Sequence, residues 1–165
     1  MINKEIGEIF DFISETNLTE EYFYNHQGCY PVYSGQTEDE GIIAQIDTYD
    51  QDSPCVTFTT YGSAGKLYYR EDKYTIGRNC MGLRPKEEYK ELINLEWFVF
   101  HFQNLFYKLR IGDPKGQKSL NKMLLERVEI EIPKLEVQER HLSKYKQLYT
   151  IIAELREIEK EIDEQ

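Results

Sequence analysis

The sequence predicts a mixed α+β fold, in which a twisted sheet of short strands packs with helices and a long C-terminal helix follows. Between residues 28 and 84, clusters of β-branched and aromatic residues are broken by Gly, Pro, Asn and Asp, as in short strands joined by tight turns. Apolar residues crowd the segment 86–109, and from residue 137 onward the chain lacks Gly and Pro. A chain of 165 residues has room for one core-forming domain. We therefore expect one domain over residues 1–136 and a helix over 137–165.

The N-terminal segment, Met1–Tyr24, carries apolar residues at Ile2, Ile6, Ile9 and Ile13. This spacing predicts a short helix. The strand-forming segments that follow read YPVYSG, GIIAQIDTY, SPCVTFTTYG, KLYYRED and KYTIGRN.

Residues 86–109 return to helical character, with apolar side chains on almost every face, which predicts a largely buried helix or two helices packed on the sheet. The polar segment IGDPKGQKS then predicts a loop. After it, Val128, Ile130 and Ile132 alternate with glutamates, which predicts a strand with the apolar residues inward, ended by Pro133.

The C-terminal helix carries an apolar stripe that is too long for a small domain to cover. The stripe is formed by Leu148, Ile152, Leu155, Ile158 and Ile162, with glutamates and lysines around it. A helix of about 27 residues is roughly 40 Å long. We expect part of it to project and to pack with a partner helix in a pair or small bundle, because the spacing is not a regular heptad. The alternative is a terminal helix that folds back on its own domain.

The charge of the chain is negative but unevenly distributed. The net charge is −10, which by itself disfavours nucleic acid as a partner, because DNA affinity depends on lysines and arginines that neutralise phosphates. Residues 1–24 hold one base and six acids, and residues 126–165 hold seven bases and eleven acids. The middle, 25–125, holds twelve bases and thirteen acids, so its bases can still face one way.

No catalytic or metal-binding motif stands out. Cys29, Cys55 and Cys80 are widely spaced and form no CxxC pair, which predicts free thiols. The three histidines lack metal-ligand spacing. Gly62–Lys66 resembles a phosphate-binding loop that is one residue short, and a tight turn between strands explains it better. Because neither a signal peptide nor an apolar run of membrane-spanning length is evident, we expect a cytoplasmic protein without bound cofactor or metal.

Three predicted loops have a composition that suits DNA. Tyr33–Thr37, Thr59–Lys66 and Asp113–Ser119 combine small residues with hydroxyl, amide and cationic donors. Small residues let the backbone approach phosphates closely, and amide and cationic side chains can pair with base edges. The candidate DNA contacts are Ser34, Gln36, Thr60, Tyr61, Ser63, Lys66, Arg70, Lys115, Gln117 and Lys118.

From about residue 30 onward, the order of these elements resembles the target-recognition domain of type I restriction-modification specificity subunits. The runs that carry the resemblance are YPVYSGQT, VTFTTYGSAGKLYYREDKYTIGRNCMGLRPK and GQKSLNKMLLERVEIEIPKLEVQERHL. The closing motif is the most specific, and it stands here as Leu125, Val128, Ile130, Ile132, Pro133, Leu135, Glu136 and Gln138. Lys134 occupies the place where the family usually has a second proline.

The resemblance implies a domain that reads a few base pairs of double-stranded DNA and a helix that spaces it from a second such domain. Methyl transfer and cleavage would belong to methyltransferase and endonuclease subunits, so neither S-adenosylmethionine nor ATP is expected to bind this chain. Full-length members carry two recognition domains, whereas this chain has no internal repeat. A homodimer through the C-terminal helices would restore the paired arrangement and predicts an interrupted palindromic target.

Two other functions stay open on the sequence alone. An acidic adaptor or DNA mimic would dock a partner through its C-terminal helix, and its negative charge would repel nucleic acid. An enzyme with an unfamiliar site is the third, although no residue cluster suggests one.

Overall fold

The computed structural model describes residues 1–113 and 115–163 and has the mixed α+β architecture that the sequence predicts. The strands are β1 (Ile2–Glu5), β2 (Phe10–Ile13), β3 (Gln27–Tyr33), β4 (Ile42–Ile46), β5 (Cys55–Thr59), β6 (Tyr61–Gly62), β7 (Leu67–Arg70), β8 (Thr75–Ile76), β9 (Cys80–Pro85), β10 (Ile111–Gly112), β11 (Lys118–Ser119) and β12 (Glu129–Ile132). The helices are α1 (Ile6–Ile9), α2 (Glu20–Asn25), α3 (Leu95–Lys108), α4 (Lys122–Glu126) and α5 (Leu135–Asp163), with 3₁₀ turns at Glu38–Gly41 and Glu87–Tyr89.

The N-terminal segment corrects the prediction of a short helix. Instead, two strands flank the single helical turn α1. β1 pairs with β12, so that Ile2 lies opposite Ile132, and β2 pairs with β9. The apolar spacing did mark buried residues, since Ile6 and Ile9 are fully buried. Backbone pairing with strands that come much later in the chain overrides the local helical pattern.

The core lies between an antiparallel sheet and α3. The sheet has the strand order β2-β9-β5-β7. Phe58 on β5 packs edge-to-face on Phe106 of α3, with 5.7 Å between ring centroids. Trp97 and Phe98 of the same helix are fully buried in this cluster. Each buried aromatic of this kind stabilises the fold by about 1.5–3 kcal/mol, so α3 is firmly attached to the sheet.

Besides the two-stranded β1-β12 sheet, two three-stranded sheets accompany the central one. One has the order β4-β3-β8, in which β3 pairs antiparallel with β4 and parallel with β8. The other has the order β10-β11-β6 and is built from two-residue strands. The predicted polar loop around residue 114 therefore carries short pieces of strand, on either side of a position that lies outside the described residues.

The C-terminal region follows its prediction closely. Along β12, Ile130 and Ile132 are buried while Glu129 and Glu131 are exposed. The long helix begins at Leu135, two residues before the predicted start. Its 29 residues correspond to about 43 Å. Across the described residues, no helix combines the length and the apolar character needed to span a membrane.

Candidate nucleic-acid interface

The loop 59–66 is closed at its base by Thr59. The backbone N–H groups of Thr59 and Gly65 donate to the carbonyl oxygens of Lys66 and Thr59, at 3.1 and 2.8 Å. The Thr59 hydroxyl accepts from the Lys66 N–H at 3.0 Å and donates to the Ser63 carbonyl at 2.5 Å. Because Thr59 is fully buried, these bonds hold the loop to the end of β5 and leave its tip at Tyr61–Ser63 outside.

Gln103 of α3 holds the same loop from the other side. Its Nε2 donates to the Gly65 carbonyl at 2.7 Å, and its Oε1 accepts from the Leu67 N–H at 3.0 Å. Both ends of one side-chain amide therefore bond to the backbone where the loop meets β7, as a neighbouring strand would. This contact was not predicted, because a lone glutamine in an aromatic helix gives no signal of its partner.

The predicted loop 113–119 is joined to the loop 59–66 by strand pairing. In β11, Lys118 lies opposite Gly62 and Ser119 lies opposite Tyr61. Ser63 also forms a bridge with Lys118, and the Leu120 N–H donates to the Thr60 carbonyl at 2.9 Å. The candidate residues of these two loops therefore stand side by side.

The third predicted loop, 33–37, is connected through a turn that sequence reasoning did not single out. The Gly35 N–H donates to the Arg78 carbonyl at 3.0 Å, and the Thr60 N–H donates to the Asn79 carbonyl at 2.9 Å. Asn79 adopts a left-handed conformation with φ of 60°, which asparagine tolerates in turns. The Gly-Arg-Asn run at 77–79 was the available signal. We call the segments 33–37, 59–66, 78–79, 111–113 and 115–119 together the loop edge.

The loop edge differs in charge from the whole chain. It holds four bases, Lys66, Arg78, Lys115 and Lys118, and one acid, Asp113. Its net charge is therefore +3, whereas the chain carries −10. The exposed acids Glu38, Asp39 and Glu40 follow directly after residue 37 along the chain.

Most of the predicted contact residues reach solvent. Tyr61, Ser63, Gln36, Lys115 and Gln117 are exposed, and Thr60, Lys66 and Lys118 are partly buried. The Gln36 side chain is nevertheless used locally, because its Nε2 donates to the Ile42 carbonyl at 2.8 Å. Ser34 is buried, and its hydroxyl accepts from the Gln36 N–H at 3.3 Å.

Arg70 is the residue whose placement departs most from its predicted role. It is only 4% exposed, and its Nε donates to the Thr57 hydroxyl at 3.1 Å. Burial lowers the pKa of its guanidinium, and burial raises the pKa of Tyr33 and of Tyr68 beside it. Its charged group is buried against the Thr57 hydroxyl and the Tyr33 ring rather than exposed to solvent on the loop edge.

The first half of α5 packs on the domain and the second half leaves it. The Tyr145 hydroxyl lies 3.0 Å from Nδ1 of His101, and the Tyr149 ring is 5.2 Å from that of Phe100 on α3. Beyond this point the helix carries exposed apolar residues, which together with the earlier Leu148 form most of the predicted stripe. The exposed fractions are 52% for Leu148, 60% for Leu155, 52% for Ile158 and 66% for Ile162, and Ile152 is partly buried. We call residues 150–163 the projecting half.

Comparison with known proteins decides the family. The family described as "Type I restriction modification DNA specificity domain" matches residues 1–164 of this chain. The chain belongs to this family. The resemblance noted in the sequence is thereby confirmed, and it extends over the N-terminal residues that carried little signal.

Relatives and solved structures agree with the assignment. A putative type I specificity subunit of Mycoplasma pneumoniae is 33% identical over 136 residues, which cover 82% of this chain and 36% of the relative. The MpnII type I restriction enzyme specificity subunit of the same organism is 30% identical over 142 residues, covering 82% of this chain and 40% of the relative. The chain thus spans about two fifths of the length of these relatives.

The fold of this specificity domain is shared with solved subunits. A structure from a study of assembly and conformational transition of a type I restriction-modification system matches with a TM-score of 0.74 at 19% identity, covering 98% of this chain and 41% of that one. The S subunit from M. genitalium matches with a TM-score of 0.68 at 17% identity, covering 97% and 42%.

The motif that carried the resemblance has a structural role in this specificity domain. Gln138 is fully buried, and its Nε2 donates to the carbonyl oxygens of Leu92 and Pro133, both at 2.8 Å. Its Oε1 accepts from the N–H of Asn94, the residue that caps α3, at 2.8 Å. One side chain therefore ties the first turn of α5 to the segment before α3. Lys134, at the position of the usual second proline, is exposed.

Proposed function

We propose that this specificity domain binds double-stranded DNA through the loop edge and reads a short base sequence there. The observation that carries the proposal is the hydrogen-bonded union of the three predicted loops into one edge with a net charge of +3, in a chain whose total is −10. Such a local concentration of cations and polar groups suits phosphate neutralisation. Membership of a DNA specificity family supports the same function.

The positions of the side chains suggest how the work is divided. Tyr61, Ser63 and Gln117 are exposed polar groups around the β6–β11 pair and are our candidates for base contacts. Lys66, Lys115, Lys118 and the added Arg78 are candidates for phosphate contacts. Thr60 and Gln36 stand beside them, whereas Ser34 and Arg70 are buried and leave the set of direct contacts.

The proposed role includes no catalysis. We propose that methyltransferase and endonuclease subunits carry out the chemistry on DNA that this chain selects, so that the chain itself needs no cofactor. The similarity to specificity subunits supports this division of labour.

We further propose that residues 1–136 form the recognition unit and residues 137–165 a spacer and dimerisation helix. The exposed stripe on the projecting half supports this, because contiguous exposed apolar residues mark contact sites. Two copies related by two-fold symmetry would present two loop edges and select an interrupted palindrome.

The test is selection of bound sequences from a randomised duplex library, with the chain alone and with its methyltransferase partner added. We expect an enriched motif whose binding weakens with salt by about 0.9 log unit per log unit of salt for each phosphate contacted. Replacing Lys66, Lys115 and Lys118 by glutamate should abolish binding. A matched control replaces the exposed Lys90, Lys134 and Lys144, which lie outside the loop edge, and should retain it.

Failure has a definite form. If no motif is enriched even with the partner present, the proposed function is wrong. If the loop-edge reversal leaves every interaction of the chain intact, an acidic protein-interaction module explains the molecule better.

A further inference from the structure

Arg70 is a buried cation without an acidic partner among the described residues. It ends β7 on the edge of the central sheet and is 4% exposed. None of the ion pairs in residues 1–113 and 115–163 includes it. A buried charge is costly unless its donors find acceptors, so the contacts that Arg70 does make indicate what the residue is for.

Those contacts join two separate parts of the fold. Nε donates to the Thr57 hydroxyl on β5, and Nη2 donates to the backbone carbonyl of Glu40. The guanidinium centre lies 3.5 Å from the ring centroid of Tyr33, the last residue of β3, and 4.4 Å from that of Tyr68. Arg70 therefore spans from the central sheet to the β4-β3-β8 sheet and the turn between β3 and β4.

That turn has a backbone that needs support. Asp39, Glu40 and Gly41 are consecutive residues with φ of 46°, 51° and 88°. The left-handed conformation is sterically unfavourable for a residue with a Cβ atom. The Ser34 N–H donates to the Gly41 carbonyl at 2.8 Å, so the same turn decides where Ser34–Gln36 of the loop edge stands.

We propose that Arg70 is a positioning residue, whose guanidinium joins the central sheet to the left-handed turn at 39–41 and so fixes the 33–37 segment on the loop edge. The proposal rests on the proposed function for its effect on DNA, and it replaces the predicted role of Arg70 as a direct contact. Arginine is required because one planar group must donate in two directions while it contacts the Tyr33 and Tyr68 rings. A lysine would keep the charge and lose that geometry.

The test compares Arg70→Lys with Arg78→Lys, which changes an exposed arginine of the same edge. Hydrogen exchange in the free protein should show the Ser34 amide exchanging roughly tenfold faster or more in Arg70→Lys and unchanged in Arg78→Lys. Affinity for the selected sequence should fall by about tenfold or more in Arg70→Lys, with the slope of log affinity against log salt unchanged.

The two arms separate the possible failures. Unchanged exchange at Ser34 in Arg70→Lys overturns the proposal, as does a lysine variant that binds DNA with the parent's affinity. If the parent binds no duplex at all, the proposed function fails while the exchange arm still decides the role of Arg70. Should Arg70→Lys lose its circular-dichroism signature of folding, Tyr33→Leu removes one stacking ring and should give a smaller increase in exchange at the same amide.

Discussion

The loop edge and the projecting half of α5 both lie on the surface, but the rest of the molecule supports them very differently. Residues that are themselves hidden or half-hidden, such as Thr59 and Gln103, hydrogen-bond to the backbone of the loop edge. In contrast, the aromatic contact between α5 and α3 at Tyr149 comes just before the projecting half begins. The first region presents polar groups in a set geometry, and the second presents an apolar stripe that the described residues leave mostly exposed.

The difference fits the two kinds of recognition that we propose for these regions. A surface that reads base edges must hold its donors and acceptors in place before binding, because every ordered group would otherwise cost entropy on association. A helix that packs with a partner helix needs only its apolar stripe, since the helix itself sets the spacing of the side chains. Each of the following predictions tests one side of this comparison.

The largest expected effect concerns the frame beneath the loop edge. Cys55 and Cys80 are buried in neighbouring strands, whereas Cys29 is exposed. Burial raises the pKa of Cys55 to about 11 and that of Cys80 to about 12, which disfavours the reactive thiolate. At pH 8 a thiol reagent should modify Cys29 readily. Cys55 and Cys80 should react more slowly by a factor of about a thousand or more, because they become accessible only when the protein opens locally or unfolds.

The measurement is mass spectrometry of the modified protein over time, with the urea-unfolded chain as the control in which all three thiols react. Rapid labelling of Cys80 in the folded protein would contradict a rigid frame.

The next effect is at the base of α5. Gln138→Ala removes three hydrogen bonds from part-buried backbone groups, the Asn94 N–H and the carbonyl oxygens of Leu92 and Pro133. At about 1 kcal/mol for each bond, the free energy of unfolding should fall by about 3 kcal/mol. Gln147→Ala, which changes an exposed glutamine of the same helix, should stay within about 0.5 kcal/mol of the parent. Urea denaturation of both variants measures this, and equal midpoints would show that Gln138 does not anchor the helix.

A smaller effect distinguishes two glycines of the 59–66 loop. Both have positive φ, at +75° for Gly62 and +87° for Gly65. A Cβ at Gly65 would lie 3.0 Å from the Phe106 carbonyl of α3, whereas one at Gly62 would meet no atom within 4 Å. Gly62→Ala should therefore cost about 1 kcal/mol, and Gly65→Ala about 2 kcal/mol. Thermal unfolding of both variants measures this. If Gly62→Ala loses more stability than Gly65→Ala, the loop does not pack closely against α3.

The smallest effect on folding is expected from changes to the apolar stripe of α5. Leu148→Asp combined with Leu155→Asp changes residues that are already 52% and 60% exposed, so the free energy of unfolding of the dilute monomer should change by less than about 0.5 kcal/mol. Self-association should nevertheless be lost, because the dimer would bury two new carboxylates from each copy. Light scattering compares this variant with the control variant Thr150→Asp and Ala153→Asp. If the parent is dimeric and the variant has the same mass, the apolar stripe does not form the dimer contact.

Much of the fold was open to prediction because its signals are local. The alternation along β12 and the Gly- and Pro-free run of α5 report burial and helix propensity directly. The start of the chain was mispredicted because β1 and β2 depend on partners at β12 and β9, which no local window contains. For the same reason the role of Gln103 was not predicted, since it depends on hydrogen bonds to two backbone groups that are distant in the sequence.

The candidate site divides along the same line. Composition alone predicted three polar loops as candidate contacts, because the cations and small residues in them can be identified without knowing the fold. Pairing of β6 with β11 and the Arg78–Asn79 turn brought those loops together. Different tertiary contacts, to the Thr57 hydroxyl and the Glu40 carbonyl, hold Arg70 inward. The sequence gives the chemical type of each side chain directly. Whether a charged side chain faces solvent or the interior depends on which distant strand packs over it.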